Sequence, residues 1–246
     1  LHQLREDLAL ALRAAAAHDL AEGICNHFSL AVDERRFLLN PRGLHWSEVG
    51  ADDLVLVDEH GRVLAGRHAV EPSAMFIHAA VHRITRHSVV LHTHMPFATS
   101  LALTQAGALD PLLSQNALRF VDRIAVDPHF NGLALDVAEG ERIARAMAGK
   151  DVAFLANHGV IVAGPCVAWA YDDLYYLERA ARLQVLAAAG GQHLRPVADL
   201  ALARRTAAQV QGERQQSDLF FEALRRMLPA PAPALTNVQP TAGEHP

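Results

Sequence analysis

Apolar and polar positions alternate along the chain in patterns that divide it into elements. From His2 to about Leu20, the spacing of Leu4, Leu8, Leu12, Ala16 and Leu20 marks one helical face, and Glu22-Gly23 ends it. Two hairpins are predicted next. Ser29–Val32 and Phe37–Leu39 flank Asp33-Glu34-Arg35, and Leu54–Val57 and Val63–Ala65 flank Asp58-Glu59-His60-Gly61. Pro41-Arg42-Gly43 is a turn between them. Pro72 suits the first position of a helix, with Glu71 at or beside its N-cap, and Ala74, Ile77, Val81 and Ile84 face inward as far as Arg86. Val89-Val90-Leu91 opens a strand that runs through His92-Thr93-His94 and stops at Met95-Pro96; a short helix follows from Phe97 to about Gln105. Ile124–Val126 reads as a weak strand and Glu139–Met147 as a helix. Val152–Leu155 and Val160–Val162 are apolar and bracket Ala156-Asn157-His158-Gly159. A long helix is expected over Val167–Ala189, closed by Gly190-Gly191, and a last one over Val197–Met227.

The pattern predicts one α/β domain over residues 1–228, with a mostly antiparallel sheet and helices around it. The segment 229–246 holds five of the twelve prolines and is expected to be a flexible or draped tail. The 246 residues are 51% apolar, enough to bury a substantial core. A net charge of −5 excludes a phosphate-tracking nucleic-acid binder. Two cysteines, Cys25 and Cys166, exclude a disulfide scaffold and a thiolate zinc finger. No apolar run is long enough to span a bilayer and no signal peptide opens the sequence, so the expectation is a cytoplasmic protein without a membrane partner. Gly-x-Gly-x-x-Gly after a strand, a Gly-Lys-Ser/Thr phosphate loop and Gly-x-Ser-x-Gly are all absent from the sequence.

Fifteen histidines change the picture, because imidazole is both a common metal ligand and a near-neutral acid/base. His92 and His94 stand two apart on a predicted strand, so both side chains leave the same face. His158 follows another apolar strand. If the two strands are neighbours, three imidazoles can meet one ion and leave a fourth position open for water or substrate. Two partly buried histidines bonded to backbone give the same pattern. His78 and His82, one helical turn apart, read as structural, and Tyr171 and Tyr175 as packing residues. His2, His18, His60, His68, His87, His193 and His245 fall on predicted surface or loops. Glu71 is either a helix cap or, if its helix end faces the histidines, a proton carrier.

Five segments together resemble the class II aldolase/adducin family of sugar-phosphate aldolases, epimerases and dehydratases: Asn26-His27-Phe28-Ser29, Leu39-Asn40-Pro41-Arg42-Gly43-Leu44, Glu71, Leu91-His92-Thr93-His94 and Ala156-Asn157-His158-Gly159. Their order and spacing match over roughly residues 4–190. The resemblance implies a three-layer α/β/α sandwich and a homotetramer with active sites at subunit interfaces. It implies one divalent ion, Zn2+ first, with Mn2+, Co2+ or Fe2+ as alternatives, on His92, His94 and His158. Glu71 would be the acid/base, and a metal-stabilised enediolate would be left when a carbon–carbon bond breaks. A second acid/base usually comes from a neighbouring subunit, and His129 in Asp127-Pro128-His129-Phe130 is the matching candidate. Asn26, Arg42, Gly43 and Asn116 would bind a small-molecule substrate.

Two departures shape the substrate expectation. Where the sugar-phosphate aldolases carry hydroxyl side chains before the glutamate, this chain has Ala69-Val70, and their Thr-Gly or Ser-Gly turn is Arg42-Gly43 here. Lost hydroxyls remove donors for a phosphate, whereas arginine presents a planar fork suited to a carboxylate. The expectation is a lyase that cleaves a hydroxy or keto acid by retro-aldol reaction or decarboxylation. Two alternatives stand beside it. Asn-His-Phe-Ser and Pro-Arg-Gly-Leu-His-Trp-Ser-Glu are closer to the adducin head, a non-enzymatic interaction domain, and the same ligands could hold iron(II) for oxygen chemistry.

Overall fold

A computed structural model of the chain describes residues 1–231. The tail expected over 229–246, with His245, therefore lies almost wholly outside the described residues. Among the described residues, eight strands form one sheet: β1 (His27–Ala31), β2 (Arg36–Leu39), β3 (Val55–Asp58), β4 (Val63–Ala65), β5 (Val89–Thr93), β6 (Ile124–Asp127), β7 (Val152–Leu155) and β8 (Gly159–Gly164). Their order is β4-β3-β2-β1-β5-β8-β7-β6, and every pair is antiparallel except β6 with β7. The helices are α1 (His2–Ala17), α2 (Pro72–Thr85), α3 (Pro96–Ala102), α4 (Gln115–Leu118), α5 (Val137–Ala146), α6 (Val167–Ala189), α7 (Leu200–Gly212) and α8 (Gln215–Met227).

Strand alternation sorts the side chains onto the two faces of the sheet, which gives the expected three layers. Phe28, Leu30, Val89, Leu91, Phe154, Val160 and Val162 pack with Leu8 and Leu12 of α1 and Leu174 of α6. Their neighbours Val90, Ala153, Leu155, Ile161 and Ala163 face the other way, onto Ile77, Ala80 and Val81 of α2 and Ile143 and Ala144 of α5. The α2–α5 contact is tight. A Cβ on Gly140 would stand 2.3 Å from the Phe76 carbonyl oxygen, so only glycine fits at that crossing.

The structure corrects several sequence-derived boundaries. The single last helix is two, α7 and α8, separated at Glu213-Arg214. The break turns Arg214 inward, where its guanidinium meets Asp173 at 2.8 Å in a buried ion network that includes Arg119, Arg123 and Asp172. Helix α1 stops at Ala17, because Asp19 takes a left-handed φ of +59°. The short helix stops at Ala102 instead of Gln105, and α4, capped by Ser114, had no clear sequence signal.

One end of the sheet collects the functional candidates. α2 leads through a short turn into β5 and runs antiparallel to it, so Glu71 at the start of α2 stands near the end where β5 finishes. At that same end β1 and β8 begin, both antiparallel to β5, and β2 ends in Asn40-Pro41-Arg42.

Candidate metal centre

Pairing sets the histidine geometry. Thr93 of β5 lies opposite Val160 of β8, so the turn residue His158 arrives beside His94. Ligand nitrogens of His92, His94 and His158 all lie within 4.8 Å of one another, and the three ring centroids are 4.8 to 5.0 Å apart. His92 is buried; the other two are partly open. Asn157 takes a φ of +57° to make the turn. The following Gly159 leaves room for His94: a Cβ there would fall 2.6 Å from the Thr93 oxygen and 2.7 Å from His94 Cδ2.

The hydrogen bonds define which nitrogens are free. His92 Nδ1 donates to the Val160 carbonyl at 2.9 Å, and His94 Nδ1 donates to the Glu22 carboxylate at 2.7 Å. Both Nδ1 positions are thus engaged away from the cluster, and the two Nε2 atoms face each other at 3.2 Å, where a shared proton or a metal ion can satisfy both lone pairs. Burial, followed by the neighbouring imidazoles, pushes His92 well below the usual histidine range, and burial with His94 pushes His158 down to about 4. Those two rings are neutral at pH 7, the form that binds metal. Three imidazole donors fit a divalent ion such as zinc, with iron, cobalt or manganese also compatible.

The remaining candidates divide. Arg42 Nε pairs with Glu71 Oε2 at 2.9 Å, and the Arg42 amide bonds the Ala69 carbonyl at 2.8 Å. The two loops that flank the resemblance's substrate residues are thus joined. Gly43 takes a φ of +87° in that turn, with open space around it. Asn26 is buried; its Oδ1 accepts the amides of Glu22 at 2.9 Å and His94 at 3.3 Å, while its Nδ2 has no partner among the described residues. Asn26 therefore holds the His94 backbone and keeps one donor in reserve. His129 is exposed in the loop after β6; its amide bonds Asp127, and the adjacent Phe130 ring lies 6.5 Å from that of His158. Asn116 is not brought to the histidines: it lines a separate cavity of about 710 Å³ with Arg119, Asp172 and Tyr176.

Several residues carry more than their sequence suggested. Glu22, read only as a helix end, fixes the tautomer of His94 from 72 positions away in the chain. His27 is buried between His92 and His78, at ring distances of 5.7 and 5.9 Å, and burial pushes it down to about 3. His78 and His82 join one hydrogen-bond chain through Ser29. His82 Nδ1 donates to the His87 carbonyl at 2.8 Å, so its Nε2 accepts the Ser29 hydroxyl at 2.7 Å, and Ser29 in turn accepts from His78 Nδ1 at 2.5 Å. His18, expected on the surface, is half-buried against Tyr171, whose hydroxyl is 2.7 Å from its Nδ1. Periodicity could flag α2's inward histidines, but nothing local could flag Glu22.

No helix among the described residues is long and apolar enough to cross a membrane. The profile of the Class II Aldolase and Adducin N-terminal domain family matches residues 6–185. A Pseudomonas aeruginosa protein named only as an aldolase class 2 protein is 34% identical over 196 residues, 78% of this chain and 74% of its own length. The decarboxylase NovR of Streptomyces niveus is 30% identical over 155 residues, 62% of this chain and 57% of that one. Mouse alpha-adducin is 30% identical over 197 residues, which are 76% of this chain but 26% of adducin. Among solved structures, an aldolase II superfamily protein from Pseudomonas syringae superposes with a TM-score of 0.83 at 30% identity, covering 92% of both chains. With the family's profile over most of its length and the matching fold, the chain belongs to the class II aldolase and adducin family.

Proposed function

We propose that this chain is a metal-dependent lyase that cleaves a carbon–carbon bond, by retro-aldol reaction or decarboxylation, in a small hydroxy or keto acid. The observation that carries the reading is the facing pair of His92 and His94 lone pairs at 3.2 Å, with His158 beside them. A scaffold has no need of three imidazoles converging on one point, one of them buried and two partly open. When bound, a divalent ion at these nitrogens supplies Lewis-acid stabilisation of the negative charge that develops on substrate oxygen.

The chain's own residues would do the rest. Arg42 would hold the substrate carboxylate with its terminal nitrogens, while its Nε keeps Glu71 in place. Gly43 and the free Nδ2 of Asn26 would add donors at the same end of the sheet. In either reaction the carbon–carbon bond breaks, and its electron pair passes to the adjacent carbonyl. Glu71 would then give the carbon a proton, taken from the substrate hydroxyl in the retro-aldol case and from solvent in the decarboxylation. His129 would serve as a second acid/base across a subunit boundary, in a homotetramer whose interfaces border the sites. The exposed apolar side chains of Phe130, whose ring lies 6.5 Å from that of His158, and of Leu133, Leu135 and Val137 along the same segment support burial against another copy. Residues 1–228 would act as one domain, in the cytoplasm.

Similarity to a decarboxylase supports a lyase, and Ala69-Val70 supports a carboxylate over a sugar phosphate. A thermal-shift panel on zinc-loaded protein tests the reading, with sugar phosphates set against hydroxy and aromatic carboxylic acids and His92→Ala as control. Stabilisation by acids that vanishes in His92→Ala is expected. Stabilisation by sugar phosphates alone would overturn the substrate class. Metal analysis without bound zinc, manganese or iron would overturn the enzyme in favour of an adducin-like interaction domain.

A further inference from the structure

Glu178 is a buried carboxylate with an unusual task. It sits in the middle of α6, is 6% exposed, and belongs to no ion pair among the described residues. Its two oxygens accept the amides of Phe97 and Ala98, each at 2.8 Å. Those are the first free amides of α3, because Pro96 has no N–H and Met95 offers no side-chain cap. Across 80 residues of chain, α6 therefore supplies the N-terminal cap that α3 lacks.

The position of α3 makes this cap consequential. Its first residue follows His94 by two positions, and at its other end the Ala102 carbonyl accepts the Asn157 amide at 3.3 Å, one residue before His158. The helix is a strut seven residues long between two of the three metal-binding candidates. At the His94 end, Met95 and Ala98 pack in the core, Asn26 holds the His94 amide, and the bonds to Glu178 fix the first turn of the helix itself. Metal–ligand bonds tolerate displacements of about 0.2 Å, so movement of this strut is read directly as affinity.

We propose that Glu178 is a positioning residue for the metal centre, setting the spacing of His94 and His158 through α3. The inference rests on the metal reading above, and its test separates the two. Glu178→Gln keeps the volume but replaces one acceptor by a donor that faces an amide. Zinc affinity is measured by competition with a chelator at a temperature where both proteins are folded, with hydrogen exchange followed in the metal-free proteins. The expected result is zinc binding weakened at least about tenfold, with faster exchange both at 95–99 and at the distant 155–159. Unchanged zinc affinity, or faster exchange confined to 95–99, would overturn the proposal. A merely structural glutamate would lower the melting temperature and leave affinity unmoved. If wild-type protein binds no zinc, the metal reading falls, and coupled exchange at 155–159 still decides whether Glu178 sets the two histidines.

Discussion

The Nε2 atoms of His92 and His94 face each other at 3.2 Å, each ring having given its Nδ1 proton to another acceptor. This opposition is relieved by a cation, so purified protein is expected to carry near-stoichiometric divalent metal. At a hundredfold excess over Kd, zinc should add about 2.7 kcal/mol of stability, seen as a raised melting temperature that chelator reverses. His92→Ala should abolish the shift. A wild type indifferent to both zinc and chelator would contradict this.

Glu22 bonds His94 Nδ1, so it would act on a bound metal through that ring. Glu22→Gln removes the charge that orients the ring and raises its basicity, and zinc affinity should fall by about 10- to 100-fold with folding stability little changed. Equal affinities in a chelator competition would show that the bond is incidental.

Arg42 and Glu71 are paired, so their variants should separate into two signatures. With the acid that the panel selects, Arg42→Ala should raise KM strongly. Glu71→Gln should instead lower kcat by about 10²- to 10⁴-fold, as loss of an acid/base does. Similar effects of both variants on KM alone would remove Glu71 from the chemistry.

Gly159 stands where a Cβ would meet Thr93 oxygen and His94 Cδ2 at under 3 Å. Gly159→Ala should displace His94 and weaken zinc binding by about tenfold or more, whereas Gly149→Ala, in open space but with a φ of +75°, should cost only backbone strain. Zinc titrations of the two variants compare them directly, and equal affinities would refute the packing argument.

His82 gives a pH dependence with a definite sign. Burial pushes it from 6.5 to about 4, with His87 adding to the shift and a bond to the His87 carbonyl opposing it; Ser29, His78 and the Phe37 ring lie beside it, and Asp33, Glu34 and Arg86 line the same cleft. The folded ring resists protonation, so the unfolded chain takes up the proton first. The stability from its neutral form is complete above pH 6.5 and is lost as the pH falls towards 4, by about 3 kcal/mol. Urea unfolding in chelator at pH 7, 6 and 5 should show His82→Gln losing about 1.4 kcal/mol per pH unit less than wild type over the lower interval. Parallel curves would exclude the linkage.

Much of this architecture was legible in advance. Val89–Leu91 and Val152–Leu155 could be read as buried strands, and the paired spacing of His92 and His94 with His158 drew the site before any pairing was known. What escaped the sequence is contact between distant segments. Glu22 looks like a helix end, Glu178 like a helix-surface charge and His27 like part of a motif; each acquires its role only when β1, β5 and α6 are packed. The split between α7 and α8 escaped for the same reason, since Arg214 turns inward towards Asp173 on another helix. Asn116 lines a cavity apart from the histidines of its own chain.

Helix α2 carries Glu71 at its head and, seven residues on, His78 against the ring that backs His92. The helical turns between them fix the rotation and the rise, about 10 Å, at which the cap residue Glu71 stands relative to His78. Inserting a single residue between them would rotate Glu71 by about 100° about the helix axis while leaving the histidine wall untouched. The length of this segment is therefore a phase relationship, and it constrains insertions and deletions here more tightly than the identity of most residues within it.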